Sequence, residues 1–198
     1  MKTHVVFGED TLQRMVDAVE DVRDRLWRAT QTLEHFGVPY AVIGGNAVAA
    51  WVAQVDRRAV RNTADVDILL RRDDLERAKS ALASANFIYE QVAGVDMFLD
   101  GPDATPRDAV HVIFAGEKVR REYALPAPDV SDSEQSPLGY RVLTLEALAT
   151  MKLTSYRRKD QVHIQDFMLV GLLDQSWTKR LPPELASRLQ MLLDDPNG

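Results

Sequence analysis

Tyr40 to Val55 reads YAVIGGNAVAAWVAQV, and Arg61 to Leu70 reads RNTADVDILL. In the first stretch, Tyr40 to Ile43 is a short apolar run rich in strand formers, ended by Gly44-Gly45. From Asn46 the residues AVAAWVAQV read as a helix, with Asn46 as the expected N-cap. Two glycines between a strand and a helix let the backbone turn sharply. They also let an anion approach main-chain N–H groups at a helix N-terminus, where the dipole favours phosphate. An ordinary strand-to-helix turn has the same pattern, so the pair alone decides nothing. In the second stretch Val66 to Leu70 reads as a strand, with Asp65 and Asp67 interleaved. Carboxylates at i and i+2 on a strand share one face while their apolar neighbours turn to the core. Like charges held that close are costly unless a cation lies between them, and Mg²⁺ prefers carboxylate oxygens plus substrate phosphates. The competing reading is a solvated face of an edge strand.

Working outward, Leu12, Met15, Val19, Val22, Leu26, Leu33 and Phe36 recur at helical spacing, and Gly37 gives a stop. Asp73-Asp74 open a helix to about Ser84. Phe87–Val92, Val95–Leu99 and Ala109–Phe114 read as strands, the last two joined by the turn-rich GPDATPRD. Residues 124–139, ALPAPDVSDSEQSPLG, read as a loop. Beyond it Thr144 caps a helix through Tyr156, Asp160 caps another through Leu173, and Pro182-Pro183 open a last one. The expected architecture is α+β. It comprises an N-terminal helix and an α/β core over 1–123, the loop 124–139, and C-terminal helices over 140–198 packed on the core.

With 198 residues the chain can bury a substantial core, and 45% apolar with 27% charged is an ordinary globular composition. The absence of Cys excludes disulfides, thiolate metal sites and a cysteine nucleophile. Four His without a His-x-x-x-His spacing exclude the usual zinc patterns. MKTHVVFGEDT lacks a signal-peptide core and no window approaches 18 apolar residues, so a cytoplasmic location without membrane contact is expected. A net charge of -6 opposes bulk binding of nucleic acid, and no helix-turn-helix with a basic recognition face is evident.

Taken in order, Gly44-Gly45-Asn46, then Arg61-x-Thr63-x-Asp65-Val66-Asp67, then Met151-Lys152-Leu153 with Lys159-Asp160, resemble the nucleotidyltransferase superfamily with the polymerase β-like palm. The likeness runs from about Gly37 to Leu173. It is greatest to the small prokaryotic branch with AbiEii-type toxins and lincosamide-type nucleotidyltransferases. The resemblance implies a mixed-sheet core, an NTP substrate, two Mg²⁺ ions and a hydroxyl acceptor: RNA such as tRNA, a protein or a small molecule. It also implies the roles. Gly44, Gly45 and Asn46 contact phosphates, Asp65 and Asp67 hold Mg²⁺, and Thr63 supports the phosphate or a metal ligand. Arg61 neutralises the triphosphate and Lys152 reaches towards the nucleotide.

The family's third carboxylate belongs on the strand Ala109–Phe114, where the matching position holds His111. Three readings stay open. His111 acts as base or touches substrate beside two carboxylates; Asp108 or Asp96 supplies the missing ligand; or catalysis is lost and a binding module, such as a toxin–antitoxin component with a cognate partner protein, remains. His163 and Asp166, one turn apart, form either a hydrogen-bonded pair or half a metal site. Arg57-Arg58-Arg61, Lys118-Arg120-Arg121 and Arg157-Arg158-Lys159 are candidate walls of an acceptor groove, and Trp51 and Trp177 read as packing residues.

Overall fold

The computed structural model describes residues 9–195. Their order is α1 (Glu9–His35), β1 (Ala41–Val42), α2 (Gly44–Val55), β2 (Val66–Leu70), α3 (Leu75–Ala83), β3 (Ile88–Val92), β4 (Val95–Leu99), β5 (Ala109–Phe114), β6 (Ser133–Gln135), β7 (Arg141–Leu143), α4 (Leu145–Ser155), α5 (Arg158–Leu169) and α6 (Pro183–Asp194). The strands form one mixed sheet in the order β3-β4-β5-β2-β1-β7-β6. The α+β architecture is therefore as expected, with helices around a mixed sheet.

β2 lies at the centre, parallel to β5 and antiparallel to β1. Its residues Val66, Ile68, Leu69 and Leu70 are fully buried, as a central strand covered by helices requires. β1 pairs parallel with β7, and the hairpins β3–β4 and β6–β7 close the two ends. The stretch 124–139, expected as loop, contributes β6 and buries Ala127 and Val130. Its prolines flank the strand instead of interrupting it, which the composition disguised.

The α1 stripe divides in two. Leu26 and Leu33 are buried, whereas Leu12 and Met15 are 67% and 65% exposed because the helix runs beyond the sheet. Thr144 caps α4 as expected, its side chain accepting from Ala147 N. Asp160, expected as a cap, instead lies one turn inside α5, behind the N-cap Arg157. Tyr156, in the left-handed region, turns the chain between the two helices.

The β3–β4 hairpin turns on Ala93 and Gly94, both at positive φ, with Ala93 exposed. A two-residue turn of this kind favours Asn at its first position, since Asn tolerates the left-handed region better than Ala. Ala93→Asn is therefore expected to stabilise the chain by about 0.5 kcal/mol. Thermal denaturation should show a melting temperature raised by roughly 1–2 °C.

Candidate active site

The helix α2 starts two residues before its expected cap, at Gly44, whose φ of +67° closes the turn out of β1. A side chain at either glycine would run into the second stretch. A Cβ on Gly44 would overlap Asp67 Oδ2 and lie 2.9 Å from its Cγ, and one on Gly45 would lie 2.7 Å from Thr63 Oγ1. The glycine pair is thus forced by how closely the turn approaches the strand carrying the carboxylates. No side chain caps α2, so its first N–H groups are left to other partners. Asn46, displaced into the first turn, sends Nδ2 back to donate to Asp65 O at 2.8 Å. It fixes the start of the carboxylate strand instead of capping the helix.

Asp65 and Asp67 open into a cleft of about 440 Å³ between this turn, the 119–127 segment and the α4–α5 hairpin. His111 stands level with Asp67 on the neighbouring parallel strand, its Nδ1 3.8 Å from Asp67 Oδ1. The Nε2 atom lies 3.1 Å from Pro106 O; a carbonyl only accepts, so Nε2 carries the proton. In the neutral ring Nδ1 is then unprotonated and faces the carboxylate. Lys159 Nζ lies 3.9 Å from Asp65 Oδ2. Burial leaves the Asp67 carboxyl above the usual range, with the Asp65 charge adding to the rise and the cations Lys152 and Lys159 opposing it.

The two acids weighed as substitutes for the missing carboxylate are employed elsewhere. Asp96 is paired with Val112, one step out of phase with His111, and accepts from Tyr89 OH at 2.5 Å and Gln91 Nε2 at 3.3 Å. Asp108 caps a short turn, accepting from Thr105 Oγ1 at 2.8 Å, and lies 3.6 Å from Arg25 on α1. Strand alternation turns a side chain out of phase with His111 to the opposite face of the sheet.

The far wall is built by α4 and α5. Lys152, though a lysine, is 5% exposed and donates to Asp160 Oδ1 at 3.1 Å. Asp160 also accepts from Arg157 Nε at 2.7 Å and Ser155 Oγ at 2.8 Å. Burial raises the Asp160 carboxyl, but these bonds and the lysine more than reverse it, leaving it at about 2. Burial pushes the Lys152 ammonium down, with Asp160 opposing. Lys152 thus lines the cleft while its charge is already partnered. Arg61 is likewise engaged, its Nε donating to Asp166 Oδ1 at 2.8 Å with its guanidinium side still largely exposed. Asp166 therefore pairs with Arg61 and not with His163. Trp51 packs with its Nε1 donating to Leu143 O at 3.0 Å, as a packing residue should.

The residues fit a hard divalent cation in one specific sense. Asp65 and Asp67 share a face, and their side chains are 48% and 24% exposed, so both oxygen sets are reachable from the cleft. Among the described residues no cluster of three His, Cys, Asp or Glu side chains could hold a metal. Two carboxylates with the remaining positions left to water and phosphate is a normal Mg²⁺ arrangement, and a dedicated protein cage is not needed. Sequence reasoning named Asp160 only beside Lys159 in the motif and as a cap, without its pairing to Lys152, and missed Ser155. Lys152 and Asp160 stand symmetrically about the Tyr156 turn, a spacing that becomes a signal only once the hairpin is known.

The mixed sheet flanked by helices has the fold seen in solved nucleotidyltransferases. Two solved structures of the antibiotic-resistance factor ANT(2'')-Ia resemble it. One, in solution, has a TM-score of 0.52 and 12% identity and covers 87% of this chain and 91% of its own. The other, in complex with adenylyl-2''-tobramycin, has a TM-score of 0.50 and 13% identity over 86% and 95%. An antigenic nucleotidyltransferase-like protein from Paracoccidioides brasiliensis gives 0.53 and 17% over 85% of both chains. No protein-family model and no curated protein matches the sequence. At these identities the likeness is one of fold. Among the described residues no helix is long and apolar enough to cross a membrane.

Comparing Gly37 with Gly44, both at positive φ, separates backbone strain from close approach. A Cβ on Gly37 meets nothing within 4 Å, so Gly37→Ala should cost only the left-handed term, about 1 kcal/mol. Gly44→Ala adds the collision with Asp67 and should cost about 2 kcal/mol more. Denaturant titration of the two variants measures the difference; equal losses would mean that Asp67 can move aside freely.

Proposed function

We propose that the chain is a Mg²⁺-dependent nucleotidyltransferase that moves a nucleoside monophosphate from an NTP onto a hydroxyl of an acceptor. The observation that carries this reading is the contact of the Gly44-Gly45 turn with Asp67. It sets uncapped helix N–H groups and a carboxylate pair around one point, which suits a phosphorus flanked by negative oxygens. Asp65 and Asp67 would hold the cation, which when bound neutralises phosphate charge. The Gly44, Gly45 and Asn46 backbone receives phosphate oxygens, with Thr63 supporting the turn and Arg61 and Lys152 adding positive potential. In the reaction the acceptor oxygen bonds to the α-phosphorus, the bond to the bridging oxygen breaks and pyrophosphate leaves. The hydroxyl proton passes to His111 Nδ1, the unprotonated nitrogen beside Asp67.

The acceptor is drawn from RNA, protein and small molecules. The neighbour seen with an adenylylated tobramycin supports the last class. Arg120, Arg157 and Lys159 along the cleft suit an acceptor carrying negative charge. One observation favours a second reading: His111, a poor Mg²⁺ ligand, occupies the strand position of the third carboxylate, as in a catalytically degenerate binding module of AbiEii-like or toxin–antitoxin type.

Incubation with each α-labelled NTP, Mg²⁺ and RNA, protein or small hydroxyl acceptors tests the choice. Transfer of label that falls on the order of a thousandfold in Asp67→Asn, with the fold intact, is the expected result. Transfer that survives Asp65→Asn combined with Asp67→Asn sinks the site. Nucleotide binding indifferent to Mg²⁺, with no transfer to any acceptor, selects the binding module.

A further inference from the structure

Among the described residues, the buried side-chain polar atoms without a hydrogen-bond partner in the protein are Thr154 Oγ1 and His163 Nδ1. Both belong to the wall of the same cleft, Thr154 from α4 and His163 from α5. Thr154 is 6% exposed, so its hydroxyl is enclosed and yet unanswered. A buried polar atom left without a partner is costly, and nearly all such atoms in folded proteins are satisfied. Two of them converging on one cleft mark places where a ligand completes the hydrogen bonding.

The surroundings identify the chemistry of that ligand. The charged groups acting on His163 are Lys152 on α4, Asp160 and Lys159 on α5, and Arg157 at the N-cap of α5. Asp160 is already paired with Lys152 and Arg157 and accepts from Ser155 Oγ, so the cations dominate. Burial, then these cations, hold the His163 imidazole neutral by pushing it down to about 4. His163 also borders a narrow wedge shared with Gly45, Arg61 and Thr63, which places it beside the turn that opens α2. A hydroxyl and a neutral imidazole in a positive field, next to an uncapped helix N-terminus, suit anionic oxygens that accept hydrogen bonds from them.

We propose that Thr154 Oγ1–H and His163 Nδ1–H are recognition donors for the polyphosphate tail, the part of the triphosphate beyond the phosphorus at Asp65 and Asp67. The inference rests on the nucleotidyltransferase reading for the identity of the ligand, although not for the existence of an anion site. It makes the α4–α5 hairpin the element that distinguishes a triphosphate from a monophosphate. The Nδ1 position can be mimicked, since an Asn side chain places its amide nitrogen near where His carries Nδ1.

The test is calorimetry on the full chain with ATP, AMP and inorganic tripolyphosphate, each with Mg²⁺, for Thr154→Val, Thr154→Ser, His163→Leu and His163→Asn. Thr154→Val should weaken ATP and tripolyphosphate about tenfold or more and leave AMP within about twofold. It should also raise the melting temperature of the free protein, because an unanswered hydroxyl becomes a methyl of the same size. Thr154→Ser and His163→Asn should restore most of the affinity that Thr154→Val and His163→Leu lose. A role in packing alone would not give that rescue. Unchanged ATP and tripolyphosphate affinity in Thr154→Val and His163→Leu overturns the inference, as does equal loss for AMP, or failure of the wild type to bind tripolyphosphate. Tripolyphosphate binding that depends on both residues, in a chain that transfers no nucleotide, upholds the anion site and rejects the nucleotidyltransferase reading instead.

Discussion

The approach of Gly44 to Asp67 is the constraint on which the rest of the molecule is arranged. There is no room between them for a methyl group. β1 and β2 must therefore run antiparallel and adjacent, so that Ile43 N can donate to Asp67 O at 3.0 Å while the chain turns at once into α2. Asn46 and Thr63 complete the contact, one bonding the Asp65 carbonyl and the other filling the space that Gly45 leaves. Positions that look independent in the sequence are one packed unit. The elements beyond them, β5 on one side and the helical hairpin on the other, are placed relative to that unit.

Electrostatics then decides which charges remain available. The cleft holds two carboxylates, Asp65 just before β2 and Asp67 on it, and a third, Asp160, deep in the wall. The third is shared by a buried lysine, an arginine and a serine, so it serves as the counter-ion of the wall and not as a metal ligand. Removing one partner from such a network leaves a buried charge uncompensated, which is far costlier than the net gain from making the pair. Lys159 and the exposed side of Arg61 are less constrained and supply the positive potential that the acidic chain lacks as a whole.

Much of the fold was legible because its signals are local. Val95–Leu99 and Ala109–Phe114 were readable to the residue, since β-branched and aromatic runs bounded by turn residues have little else to become. β6 was not legible: Ser133–Gln135 carries no apolar alternation, and its existence depends on pairing with β7. Asn46 and Asp160 both look like caps, and a cap differs from an interior polar residue only in where the helix begins. A glycine at positive φ and the left-handed turn at Tyr156 moved those starts upstream. In the site, strand phase set Asp65 and Asp67 on one face, whereas His111 was brought to them through the family resemblance and not by any local pattern. Thr154 and His163 could not be brought there by either route, because an unsatisfied atom is a property of packing and leaves no pattern in the chain.

The hairpin that forms the far wall is held from behind by the last helix. Arg188 on α6 donates from Nη1 to the carbonyls of Leu153 at 2.7 Å and Thr154 at 2.8 Å, and Tyr156 OH donates to Arg188 O at 3.1 Å. The carboxylate strand lies more than a hundred residues earlier in the chain. Domains generally fold as units during synthesis, and this sheet itself draws on residues as late as β7. The wall facing the carboxylates gains its brace only when Arg188 is free to reach it. A nascent chain that has not yet released α6 therefore lacks the brace behind the wall that faces its acidic residues.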